Sequence, residues 1–174
     1  MKNWIQTYTG KKFELLSPTP DMFDPLDIAH ALSMLCRYTG HVDRFYSVAE
    51  HSLMMSWYCP AELGFVALMH DATEAYVNDL SKPLKDLLPS YEVIERNIYL
   101  ALAERFNLPE NLPAEIKTAD RRMLITEHKL LMKTPPDTWG YEGYAPFNID
   151  GFSLFTPREA KAIFLDRFYE LGGK

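Results

Sequence analysis

The sequence predicts an all-α domain, a compact helical bundle with one small β-hairpin at its N-terminus. Three observations carry this expectation. Apolar residues recur at i, i+3 and i+4 through most of the chain, which is the period of a helix with one buried face. Residues with capping side chains (Asp24, Ser47, Ser90, Thr156) stand in front of successive apolar runs. Strand-like alternation is confined to residues 4–16. A chain of 174 residues, 47% apolar and 24% charged, fits a single domain over 1–174 with one substantial core.

The elements follow in order. Residues 4–16 read as a hairpin turning at Gly10. Pro18 and Pro20 form a linker, and Asp24-Pro25 sets a cap with proline at the first helical position. The helix behind it carries Ile28, Ala29, Leu32, Leu35 and Cys36 and is expected to stop near Gly40. Ser47-Val48-Ala49-Glu50 reads as a capping box for the helix of His51. Cys59-Pro60 ends that helix and starts the one that delivers His70 and Asp71, spent by Asn78. Asp79 to Pro83 reads as a turn, and Ser90 as the cap of a helix through Ile94, Ile98, Leu102 and Phe106. Pro113 begins a helix with Ile116, Asp120, Met123, Leu124, Glu127 and Leu131 on core spacing. Thr156-Pro157-Arg158-Glu159 is a second capping box, for a C-terminal helix ending at Gly172. Between these two helices, residues 134–155 hold three prolines, three glycines and six aromatics, too many for a plain connector. The reading is a packed surface loop, with a pocket wall as the alternative.

Charge and composition exclude several classes. A net charge of −6 presents no basic surface for duplex nucleic acid or an anionic membrane. A small phosphorylated ligand stays open, because a metal and a few local cations can hold one on an acidic protein. Cys36 and Cys59 form no Cys-x-x-Cys pair and read as reduced core residues. The first residues contain no apolar signal region, and no window approaches the ~18 apolar residues of a membrane span. The expected setting is the cytoplasm.

The stretch from Val66 to Glu74 carries the chemistry. Leu63, Val66, Ala67, His70 and Glu74 fall on roughly one helical face, with Asp71 at its edge. Burying an imidazole and two carboxylates there is costly unless something pairs with them. A core histidine satisfied by its neighbours is the plainer account of any single such residue. His51 and Asp120 repeat the anomaly on two other helices. Two imidazoles and two carboxylates make a mixed nitrogen and oxygen set suited to Mn²⁺, Co²⁺, Fe²⁺, Ni²⁺, Zn²⁺ or Mg²⁺.

The order His51, His70-Asp71, Asp120 resembles the HD-domain superfamily of metal-dependent phosphohydrolases. The segments Tyr46 to Ser52, Ala67 to Glu74, Asn78 to Lys85 and Lys117 to Arg122 are similar to the bacterial 5′-deoxynucleotidases. In size the chain resembles small phage HD hydrolases, including dATP triphosphohydrolases. The resemblance covers about residues 25–132 and leaves out the hairpin and the 134–155 loop. It implies an HD-domain helical bundle with His51, His70, Asp71 and Asp120 as metal ligands. It implies that Glu74 positions or deprotonates the attacking water and that Asp79 is a second catalytic carboxylate. Arg37 matches a phosphate- or substrate-contacting arginine. Tyr38 stands where the deoxynucleotidases carry a tryptophan beside sugar and base, and Pro83 matches a proline near the base.

Beside the resemblance, Arg37, Lys82, Lys85 and Arg122 are candidate cations for the charge on phosphoryl oxygens. Pairing Tyr38 with Pro83 across a base, and Arg37 with Lys82 on phosphate, completes the expected pocket. The expected activity is hydrolysis of a deoxynucleotide, either 5′-phosphate release from a dNMP or triphosphate release from a dNTP. A cyclic-nucleotide phosphodiesterase and a non-catalytic nucleotide-binding regulatory module are the alternatives. A small-molecule nucleotide is the expected partner, and a homo-oligomeric assembly stays open.

Overall fold

The computed structural model describes residues 2–141 and 143–174. The hairpin pairs β1 (Trp4–Gln6) with β2 (Lys12–Glu14) antiparallel, with Ile5 opposite Phe13. Gly10 turns it at φ +86°, a conformation that lacks a steric penalty only for glycine. The tip is pinned to the first helix, where Asp27 accepts from the Thr9 amide at 2.6 Å and the Thr9 hydroxyl at 2.9 Å. Phe13, fully buried, stacks on Tyr76 with ring centroids 3.9 Å apart. The hairpin therefore closes one end of the core rather than projecting from it.

Among the described residues, eight α-helices follow: α1 (Pro25–Met34), α2 (Val48–Tyr58), α3 (Gly64–Met69), α4 (Glu74–Val77), α5 (Lys82–Asp86), α6 (Pro89–Phe106), α7 (Ala114–Leu131) and α8 (Pro157–Glu170). The fold is the mostly helical one with a single N-terminal hairpin that the pattern predicts. Its axis is α2, buried at every position from Val48 to Ser56 and packed on α1, α3, α7 and α8. A helix buried on all sides carries its polar residues into the interior. That is how His51 comes to lie at the centre of the molecule.

Several boundaries depart from the sequence reading. The first helix ends at Met34 instead of near Gly40. Leu35 and Cys36 run extended and pair with the segment before α2: Arg37 N–H donates to Tyr46 O at 2.9 Å and Val48 N–H to Leu35 O at 3.0 Å. The helix of His70 stops at Met69, and residues 70–73 wind as a tighter turn before α4 begins at Glu74. There Ala72 N–H bonds to Met69 O and Glu74 N–H to Asp71 O, the i to i+3 pattern. The imidazole of His70 takes the Ala67 carbonyl at 2.7 Å, the acceptor that an α-helix would offer to the Asp71 amide.

Lys82 and Pro83, expected in a turn, open the short helix α5. Ser90 is inside α6, which starts at Pro89. The 134–155 segment has no regular secondary structure among its described residues, and it packs. Phe147, Ile149 and Phe152 lie against a second apolar cluster of Met54, Met55, Ile116 and Met123. The first cap of that region is only half a capping box. Ser47 Oγ accepts from the Glu50 amide, while the Glu50 carboxylate turns away to accept the Leu154 and Phe155 amides at 2.8 and 3.0 Å. Thr156 and Glu159 form the full reciprocal box.

Candidate metal centre

Three separate elements bring a cluster of electron-pair donors to one point. His51 comes from the first turn of α2, His70 and Asp71 from the turn after α3, and Asp120 from the second turn of α7. His51 Nε2 lies 3.3 Å from His70 Nε2 and 3.3 Å from Asp120 Oδ1. Asp71 Oδ2 is 3.5 Å from His51 Nε2 and 3.2 Å from His70 Nε2. His70 Nε2 and Asp120 Oδ1 are 3.9 Å apart. Both histidines are buried, and Asp71 and Asp120 border the more open side, their side chains 22% and 40% exposed.

The histidine ring nitrogens that face away from the cluster decide what this arrangement can do. His51 Nδ1 lies 2.6 Å from Glu127 Oε1, and His70 Nδ1 lies 2.7 Å from Ala67 O. Both partners can only accept, so each Nδ1 carries the proton. Each Nε2 then faces its counterpart across the cluster, beside two carboxylates, and offers a lone pair whenever its ring is neutral. A cation relieves this arrangement. Ligands at ~2.0–2.2 Å from a divalent metal stand roughly 2.8–3.6 Å from one another at right-angle to tetrahedral spacing. Four of the five separations above fall in that range. His51, His70 and Asp120 form a group that could hold a metal ion.

Behind the donors sits a carboxylate that the sequence reading placed on the core face of α7 and gave no role. Glu127, fully buried, accepts from His51 Nδ1 and from the Tyr46 hydroxyl at 3.0 Å through Oε1. Its Oε2 accepts from Arg37 Nε at 3.2 Å and from the Tyr38 hydroxyl. Against the cost of burial, the charges of Arg37 and His51 hold its pKa down at about 2. Burial and the Arg37 charge oppose protonation of His51, yet Glu127 and Asp120 carry its pKa up to about 9. Glu127 repeats the signal that singled out Asp120, a carboxylate on an apolar stripe two turns further on.

The other sequence-predicted residues divide into two groups. Arg37, buried, lies between Glu127 and Asp71, whose Oδ2 is 3.5 Å from its Nη1. It is preceded by the extended Leu35-Cys36 pair and followed by Tyr38 and Thr39 at φ +56° and +54°. Left-handed backbone at two such residues costs about 1–2 kcal/mol each, and the Tyr38–Glu127 hydrogen bond helps hold it. Glu74 is buried with Oε2 lacking a hydrogen-bond partner, and its Oε1 is 3.6 Å from Lys85 Nζ. Burial, together with the charges of Asp71 and Asp79, pushes its pKa well up. Burial likewise raises Asp79, against the attraction of Arg37.

Lys82 and Pro83 are exposed on α5, and Lys82 pairs with Asp86 one turn on. Arg122 donates to the Ala145 carbonyl at 2.9 Å and lies over Phe147, so it fastens the loop. Tyr38 has its nearest aromatic neighbour in Trp139, ring centroids 6.2 Å apart.

Fold and site define a helical protein with a central His/Asp group able to hold a metal ion. The chain is 38% identical over 170 residues to the Escherichia coli K12 protein named Uncharacterized protein YfdR, spanning 97% of this chain and 96% of that one. It belongs to the YfdR family. An uncharacterized protein of Rhodobacter capsulatus is 36% identical over 126 residues, 67% of this chain and 64% of its own length. No protein-family model matches the sequence. Among the described residues, no helix is long and apolar enough to cross a membrane.

Proposed function

We propose that this protein is a metal-dependent phosphohydrolase acting on deoxynucleotides, with His51, His70, Asp71 and Asp120 as the ligands of one divalent metal. The observation that supports the reading is the convergence of His51 Nε2, His70 Nε2 and Asp120 Oδ1, with an acceptor behind each ring that turns its Nε2 inward. The resemblance of the surrounding segments to the HD-type nucleotidases supplies the reaction class. A divalent cation held by these four side chains would polarise a phosphoryl oxygen and lower the pKa of a water beside it.

The chain's own residues supply the rest. Glu74, buried with a free carboxyl oxygen and held toward Lys85, takes the proton of the attacking water. Asp79 feels the charges of both Arg37 and Asp71, and acts at the sugar and leaving-group end. Arg37 presents its guanidinium to phosphoryl oxygens from the Asp71 side, while its Nε stays bound to Glu127. Lys85 is already shared between Glu74 and Glu95 at 3.6 and 2.9 Å, which makes it an anchor for Glu74.

The test is a chromatographic screen of dNMPs, dNTPs and cyclic nucleotides with Mg²⁺, Mn²⁺, Co²⁺ and Zn²⁺. The expected result is metal-dependent release of phosphate or triphosphate from a deoxynucleotide, abolished by chelation. No turnover of any substrate with any metal would overturn the reading, and release from cyclic nucleotides alone would replace it.

A further inference from the structure

Lys82 and Pro83 stand exposed on α5, with Lys82 held by Asp86, which leaves the Pro83 side of the expected base sandwich in solvent. A half-open aromatic cleft lies beside Trp139, the ring neighbour of Tyr38. A cavity of about 580 Å³ separates α7 from the loop that follows it, lined by Leu124, His128, Trp139, Tyr141, Tyr144 and Pro146 among others. That volume is within the ~300–1,000 Å³ of ordinary small-ligand pockets. His128 and Trp139 face each other with ring centroids 4.7 Å apart and planes inclined by 38°. His128 Nε2 is buried without a hydrogen-bond partner. A buried polar atom left unsatisfied is uncommon and calls for an occupant.

We propose that this cavity receives the heterocyclic base of the substrate, stacked on Trp139 with its polar edge against His128 Nε2. The proposal rests on the nucleotide reading above. A flat heterocycle matches both features, since its faces stack on aromatic rings and its edge carries hydrogen-bonding atoms. The link to the metal group runs through contacts already described. Trp139 neighbours Tyr38, the Tyr38 hydroxyl donates to Glu127, and Glu127 holds His51. The Arg121 guanidinium donates to the Tyr144 hydroxyl and fastens the far wall of the cavity. A nucleotide bound this way places its base beside Tyr38 and its phosphate toward Arg37, the next residue in the chain.

Calorimetric titration of Mn²⁺-loaded Glu74→Ala protein with the four dNMPs and with inorganic phosphate tests this without turnover. Adding Trp139→Ala or His128→Ala should weaken dNMP binding roughly tenfold and leave phosphate binding unchanged, while Trp139→Phe retains most of the affinity. Trp139 is partly exposed, so its loss leaves the core intact. Unchanged dNMP binding in both variants would overturn the assignment, as would equal losses for dNMP and phosphate or no dNMP binding at all. Hydrolysis of a base-free aryl phosphate by the metal-loaded wild type separates the two readings. If it proceeds while dNMP binding ignores Trp139, the base site alone is misplaced. If neither the aryl phosphate nor any deoxynucleotide is hydrolysed with any of the metals, the phosphohydrolase reading itself fails.

Discussion

Glu127 holds His51 from behind: its Oε1 lies 2.6 Å from Nδ1 of the ring, and its Oε2 is bound by Arg37 Nε and the Tyr38 hydroxyl. One fully buried carboxylate thus fixes the tautomer of a proposed ligand, anchors the arginine proposed to meet phosphate, and steadies a left-handed turn. Such outer partners orient metal-bound histidines, and their removal typically costs about 10–100-fold in metal affinity.

Glu127→Gln is accordingly expected to lower divalent-metal affinity by roughly that factor, with a folded protein at lower melting temperature. Glu127→Ala should destabilise by about 3–5 kcal/mol, because Arg37 is left buried without its strongest partner. Calorimetric metal titration and chemical denaturation of the two variants check both statements. Unchanged metal affinity in Glu127→Gln would reduce Glu127 to a packing residue.

Glu74 makes no short contact with His51, His70 or Asp120, so it is separable from them. Glu74→Ala and Glu74→Gln are expected to retain one bound metal and the wild-type melting profile while turnover drops by roughly 10² or more. Steady-state hydrolysis beside metal analysis of the same samples makes the comparison. Near wild-type turnover in either variant would remove the proton-accepting role.

A third prediction is structural. Glu50 ties α2 to the end of the aromatic loop through two amide hydrogen bonds. Glu50→Ala leaves the Leu154 and Phe155 amides unpaired and should cost about 1–3 kcal/mol in urea denaturation. Metal affinity should stay near the wild-type value, since Glu50 bonds away from the cluster.

The way Glu50 behaves shows what the sequence could and could not reveal. Ser47-Val48-Ala49-Glu50 matches the capping-box pattern, and Ser47 does cap. The glutamate finds better donors 104 and 105 residues away, a competition invisible to local pattern. The hairpin turn at Gly10 and the box at Thr156 were legible because chemistry within a few residues decides them. The break after Met69 was not, because helix period alone cannot foresee the His70 ring taking the Ala67 carbonyl.

His51, His70, Asp71 and Asp120 were readable as polar groups misplaced on apolar faces; the structure gathers His51, His70 and Asp120 into a group that could hold a metal ion, with Asp71 Oδ2 3.5 and 3.2 Å from the two histidines. Glu127 carried the same signal on the same stripe and went unassigned, since burial with four donors is a tertiary fact. Pro83 was expected across a base from Tyr38, and Lys82 beside Arg37 on phosphate. Here a helix starts at Lys82 and leaves both residues exposed.

The central claim is that these four side chains hold one divalent cation. Metal-free wild type, His70→Ala and Asp120→Ala should be titrated calorimetrically with Mn²⁺ and Co²⁺. Asp120 is part-exposed at the surface of α7, so its removal should leave the fold intact. The expected result is one metal per wild-type chain and no measurable binding in either variant. Full occupancy in both variants, or no binding by the wild type, would contradict the account.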